Sequence, residues 1–157
     1  MTRIEKFSAT WHGLLPVIAK LATEWQPPIL KNELAYRDHL LAHVRQAVPA
    51  DTTVEKEYRH RGTTVDLWLR WKGLLVTDEL AIELKVNLKK KTEFDRLIGQ
   101  VESLQPKNYK TLIVLIGATD EQLLARLREK YASYISPPIG TIATMAVVAV
   151  PTPKSAP

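Results

Sequence analysis

The sequence contains no cysteine. Disulfides, thiolate nucleophiles and cysteine-ligated zinc are therefore excluded together. Long apolar runs are missing as well: the longest, such as 142–150, fall far short of the ~20 residues that a membrane helix needs. No apolar segment follows a basic start in the manner of a secretory signal. No internal repeat, zinc finger, helicase motif or separate sequence-reading module is seen. These absences lead to the expectation of a soluble, intracellular, cytoplasmic protein with no membrane partner.

What is there has the make-up of a globular domain. Over 157 residues, hydrophobic side chains make up 45% and charged ones 25%, close to the average for folded proteins. That length suits one domain with a proper core. Lysine and arginine exceed aspartate and glutamate by 22 to 17, a net charge of +5. Such a balance favours a polyanionic partner.

Residues 1–28 read as an accessory segment, with a helix over 7–25 whose apolar positions are Leu14, Leu15, Val17, Ile18, Leu21, Ala22 and Trp25. Pro16 belongs in its first turn, and Gln26-Pro27-Pro28 ends it. A second helix is predicted from an Asn32 cap to Val48, with Leu34, Leu41, Val44 and Val48 on one stripe. Strands over 54–59, 64–71 and 79–88 follow as a meander, with a turn at Arg61-Gly62. Thr92-Glu93-Phe94-Asp95 resembles a capping box opening a helix whose stripe is Phe94, Leu97, Ile98, Val101 and Leu104, stopped by Pro106. The unbroken run 111–116 suits a central strand. Thr119 with Gln122 predicts a cap for a helix to about Tyr134, and 142–150 a last strand. The domain thus spans 1–150, and the proline-rich tail 151–157 reads as disordered.

Alternation singles out one cluster. From 79 to 88 the even positions Leu80, Ile82, Leu84, Val86 and Leu88 are apolar, so Glu83 and Lys85 share the opposite face. From 64 to 71, Val65, Leu67, Leu69 and Trp71 take one face and Thr64, Asp66, Trp68 and Arg70 the other. Pairing the strands gathers Asp66, Glu83 and Lys85. Two carboxylates and a lysine suit a hard divalent cation acting on a phosphoryl group. On the residues alone, a surface strand with an ordinary Glu–Lys pair is the other reading.

The order of helix, three meandering strands, helix and strand, with carboxylates on the second and third strands, resembles the PD-(D/E)xK phosphodiesterase superfamily over residues 32–117. The resemblance implies an α/β, restriction-endonuclease-like core with an added C-terminal helix and strand. It also implies a nuclease dependent on Mg2+ or Mn2+, acting on nucleic acid, DNA before RNA, by internal cleavage. Asp66 takes the place of the motif's first aspartate, and Glu83-x-Lys85 that of (D/E)-x-K. Asp66, Glu83 and the Leu84 carbonyl would hold the metal, Glu33 would complete its shell directly or through water, Lys85 would assist the attacking water, and Gln100 would hold a water or a phosphate nearby. Valine stands before Asp66 where the motif has proline, and Leu104 stands where the RecB-type Q-x-x-x-Y pattern needs tyrosine. An inactive nucleic-acid-binding module of the same fold, or a structural subunit of a larger assembly, are the rival classes.

Basic residues adjoin this cluster: Lys89, Lys90 and Lys91 after the Glu83 strand, and Arg59, Arg61, Arg70 and Lys72 around the hairpin. They are candidates for phosphate-backbone contacts. Trp68 is a candidate for base stacking or for packing under a helix. His39 and His43 have the i, i+4 spacing of a metal pair but lack the H-E-x-x-H glutamate. The sequence leaves the oligomeric state open, though cutting two strands with one site per chain makes a homodimer a natural expectation.

Overall fold

Six consecutive residues, Thr111–Ile116, form a strand buried at every position, as expected of a centre covered on both faces. In the computed structural model, which describes residues 13–60, 62–73 and 76–152, this strand is β4 of a five-stranded sheet of order β1-β2-β3-β4-β5. β1 (Thr53–His60), β2 (Thr63–Lys72) and β3 (Thr77–Val86) form the antiparallel meander. β3, β4 and β5 (Met145–Val150) are parallel. The fold is α/β, with the expected order of helix, meander, helix, strand, and then a C-terminal helical segment and strand.

Helices α1 (Leu14–Glu24) and α2 (Glu33–Ala47) cover one face, packing on Leu67, Leu69, Leu80, Ile82, Leu84, Leu112, Val114 and Ile116. Helices α3 (Lys91–Ser103), α4 (Glu121–Lys130) and α5 (Ala132–Ile135) cover the other, meeting Ile113, Leu115 and Met145. Among the described residues no helix is long and apolar enough to cross a membrane.

Several expectations are corrected in detail. α1 is no appendage, because Leu14, Leu15, Ile18, Ala22 and Trp25 belong to the core itself; residues 7–12 of its expected span lie outside the described residues. Asn32 does cap α2, accepting from the Ala35 N–H at 2.9 Å. Leu34, however, is 54% exposed, since the buried stripe runs through Tyr36, Arg37, Leu40, Leu41 and Val44. The Thr92 capping box is absent: α3 begins at Lys91, two residues earlier than that box implies, with Lys90 at the cap and no side-chain bond there. Asp120, not Thr119, caps α4 by accepting from the Leu123 N–H at 2.9 Å, and the expected helix to Tyr134 divides into α4 and α5. The last strand starts at Met145, leaving Ile142 exposed. Of the tail, residues 153–157 lie outside the described residues.

The N-terminus of α1 is capped from a distance. Gly13, at φ 86°, has no side chain to offer. Asp78 at the start of β3 instead accepts from the Leu14 N–H at 2.6 Å and from the Lys110 ammonium at 2.8 Å. A side chain at Gly13 would collide with Asp78, so the glycine permits the approach. Asp78→Ala is expected to destabilise the fold by about 1–3 kcal/mol, the cost of stranding a buried donor. Urea-unfolding midpoints measure this, and Asp78→Asn, which keeps an acceptor, should lose less.

Candidate metal-binding cleft

β2 and β3 pair from Lys72↔Thr77 to Leu67↔Ile82 and then separate. Beyond that point the outward N–H groups of β3 lose their strand partner, and two carboxylates replace it. Asp66 accepts from the Leu84 N–H at 2.8 Å, and Glu33, at the start of α2, accepts from the Val86 N–H at 3.3 Å. A residue in an antiparallel pair turns its N–H and C=O to the same neighbour, so the Leu84 carbonyl faces this gap beside Asp66.

The alternation of β2 breaks at the same place. Leu67 and Leu69 face α2 as expected, but Val65 packs with Ala81 and Leu104 on the α3 side. The partner strand is distorted opposite, where Glu57 adopts φ 53°. Assigning Val65 to the Leu67 face is thus corrected: the chain reverses its faces around Asp66, which turns its carboxylate along the sheet.

Glu83 projects from β3 on the α3 side, and that side is not open to solvent. Glu83 is 0% exposed, and neither carboxylate oxygen has a hydrogen-bond donor. Burial, with the Asp66 charge added to it, pushes its pKa up to about 9. Once Glu83 is ionised its charge faces that of Asp66, offset in part by the Lys85 ammonium.

Helix α3 lies over this pair. Leu104, just past the helix, touches Ala81. Gln100 stands one turn earlier, about 6 Å along the helix, and Glu83 two residues later, about 7 Å along the strand. They therefore lie at the same level, and the Gln100 Oε1 is also buried without a partner. One turn further, Arg96 reaches the level of Lys85. There a cavity of ≈ 200 Å³ is lined by Glu33, Lys85, Val86, Leu88, Glu93 and Arg96. The Lys85 ammonium is 3.5 Å from the Glu33 carboxylate and its side chain only 17% exposed.

The structure thus brings Asp66, Glu83 and the Leu84 backbone together and sets Glu33 with Lys85 in the adjoining cavity, while Gln100 keeps a buried amide oxygen on α3. Among the described residues no group of three or more His, Cys, Asp or Glu side chains gathers at metal-binding spacing. Arg96 and Glu93 escaped the sequence reading; the signal available was Arg96 four residues before Gln100, on the same helical face.

The basic candidates do not form one patch. Lys89, Lys90 and Lys91 are exposed where β3 passes into α3, with Lys91 paired to Asp95. Arg59 pairs in register with Thr64, near Asp66. Arg70 and Lys72 lie toward the far end of β2, Lys72 about 20 Å from Asp66 at the usual rise per residue, and Arg70 is 3.7 Å from Glu79. Arg61 lies outside the described residues. Trp68 is 7% exposed and stacks on Tyr58 at 4.2 Å, so it packs within the protein and offers no open ring face there. The His39 Nδ1 accepts from the Trp25 indole at 3.0 Å, and burial, with the His39 charge added, lowers the pKa of His43. His39 serves the core in this way.

No protein-family model matches the chain, and no curated protein matches it. A solved structure of Pyrococcus furiosus SfsA in complex with Ca2+ is similar at a TM-score of 0.47, with 12% identity, covering 82% of this chain and 70% of that one.

Proposed function

We propose that the protein is a nuclease of the PD-(D/E)xK type, dependent on Mg2+ or Mn2+ and cleaving phosphodiester bonds within nucleic acid, DNA before RNA. The observation that carries this reading is Glu83: a carboxylate wholly buried beside a second one, with no donor for either oxygen. A buried carboxylate left so is costly, and an unfilled polar group of this kind calls for a ligand.

The donor set fits a hard divalent cation, which prefers oxygen ligands and few of them from the protein. Asp66 and Glu83 would hold it with the Leu84 carbonyl, and the Gln100 amide oxygen lies at the right level to steady a water or ligand beside them. When bound, such an ion polarises a phosphoryl oxygen and lowers the pKa of a bound water. The remaining work falls to the chain. Lys85 supplies positive charge where the phosphate's charge builds up and a donor toward the attacking water. Glu33 holds the Lys85 ammonium at the rim. Arg96, beside it in the cavity, offers a forked donor suited to a neighbouring phosphate.

Incubating the purified chain with supercoiled plasmid, with and without Mg2+ or Mn2+, tests the proposal. Divalent-dependent nicking that a chelator stops is the expected result. Binding without nicking would select the inactive module, and no thermal stabilisation by Mn2+ would select the structural subunit.

Neutralising Lys89, Lys90 and Lys91 together is expected to weaken nucleic-acid binding about equally for all sequences. The slope of log affinity against log salt should flatten by about one unit for each phosphate that is no longer neutralised. An unchanged slope would reduce the run to a solvated turn.

A further inference from the structure

The two edges of the sheet are treated in opposite ways. β1 carries Glu55, Lys56, Glu57 and Arg59, with a kink at Glu57 and ion pairs from Glu57 to Arg37 and from Lys56 to Asp38. Charges and distortions of this kind keep an edge strand from pairing with another chain. β5 has none of them. Residues 141–150 contain no charged side chain, and the strand runs straight through Met-Ala-Val-Val-Ala-Val.

Among the described residues no backbone pairs along the outer side of β5. The Thr144 and Val150 carbonyls accept from β4 and its extension, from the Thr111 and Gly117 N–H groups. The even-numbered residues of β5 therefore turn inward, and Met145, Val147 and Ala149 turn their N–H and C=O groups outward. Among the described residues β4 is the only strand paired with β5, and no other backbone bond reaches those three residues.

We infer that β5 is the seam of a homodimer, pairing antiparallel with β5 of a second copy about a two-fold axis at Val147. Centred there, Val147 faces its own mate and Met145 faces Ala149 in both directions. Each facing pair exchanges two hydrogen bonds, so all three outward residues of both chains are satisfied at once. Pro151, which follows with no N–H to give, bounds the ladder. A second copy is the fitting occupant on charge: two chains of net charge +5 repel in general, and this uncharged edge is where they meet without like charges opposed. The closed, self-complementary contact is the usual form of a symmetric dimer. On each face of the sheet, α1 and α5, which pack on β5, would adjoin their counterparts.

The inference does not rest on the nuclease reading. Antiparallel joining turns the β3 ends of the two chains in opposite directions. Each chain keeps its own cleft, and the dimer does not set two clefts face to face on one duplex.

Light scattering of the full chain should give twice the chain mass, and hydrogen exchange should show slowed amides at Met145, Val147 and Ala149. Val147→Lys places two ammonium groups opposite each other on the axis and should give a monomer in which those amides exchange rapidly. Any cleavage activity per chain should be unchanged. Val147 is half-buried, so Ala149→Lys, at an exposed position, repeats the test without disturbing the core. A monomeric wild-type chain overturns the inference, whether its β5 amides are open or are protected by another part of the same chain. So does a dimer that survives both substitutions.

Discussion

Glu83→Gln is expected to abolish divalent-dependent cleavage and, in the metal-free protein, to raise the melting temperature, increasingly so toward alkaline pH. Both effects come from one buried carboxyl. In the folded chain its pKa is about 9, against 4.5 for the free side chain. Between those values the folded state holds a proton that the unfolded state has released. The stability of the metal-free protein therefore falls as pH rises through that window, by at most about 1.4 kcal/mol per pH unit. Below pH 4.5 the penalty is absent; above about 9 it is complete. An amide of the same shape cannot ionise, and its N–H2 can donate to Asp66, so the Glu83→Gln variant loses that slope. It also loses the second anionic ligand, and Mn2+ should no longer raise its melting temperature. Thermal melts from pH 5 to pH 9, with Mn2+ and with chelator, give all these quantities, with plasmid nicking alongside. A variant destabilised at every pH would mean that Glu83 is a structural partner of the core. A variant that nicks as the wild type does would remove the metal assignment. Asp66→Ala should likewise abolish cleavage, at a modest cost in stability from the lost bond to the Leu84 N–H.

The order of elements was legible because each signal is local. Alternation marked β2 and β3, an unbroken apolar run marked β4, and Asn32 marked the start of α2 where its side chain does cap. The polar side of β3 was legible as a side, but what covers it was not. Alternation says that Glu83 points away from Leu84; only the crossover that brings α3 back over the sheet makes that direction an interior one. The raised pKa of Glu83 follows from the same burial. The reversal of faces around Asp66 left no mark in the sequence, since Glu57 is not a residue type that announces positive φ. Asp120 and Thr119 are both good caps, and their order along the chain did not reveal which would meet the Leu123 N–H. Arg96 lay hidden for a related reason: its position on an exposed helix becomes informative only once Lys85 is known to stand at the same level.

Lys85→Ala separates the chemistry from the ligand set, and the expected result is a chain that binds Mn2+ as well as the wild type, or better, and hardly turns over. An ammonium cannot ligate a cation, so its removal takes away a like charge near the ion, a gain set against the loss of the charge that lowers the pKa of Glu83. Lys85 is held 3.5 Å from Glu33, and Glu33 keeps its bond to the Val86 N–H after the lysine is gone, so the local backbone has a reason to stay in place. Asp66 and Glu83 are bound to neither partner by any hydrogen bond, and their arrangement should persist. What disappears is the positive charge beside the phosphate and a donor to the attacking water. A single preorganised donor of this kind contributes on the order of 10²–10³-fold in kcat. Titration calorimetry with Mn2+ and single-turnover cleavage, both on the same preparation, read the two effects apart. If affinity and turnover fall together, Lys85 is holding the cleft in shape through Glu33. If neither falls, the Glu83-x-Lys85 spacing has no part in catalysis, and the source of positive charge must be sought at Arg96, which lines the same cavity as Lys85.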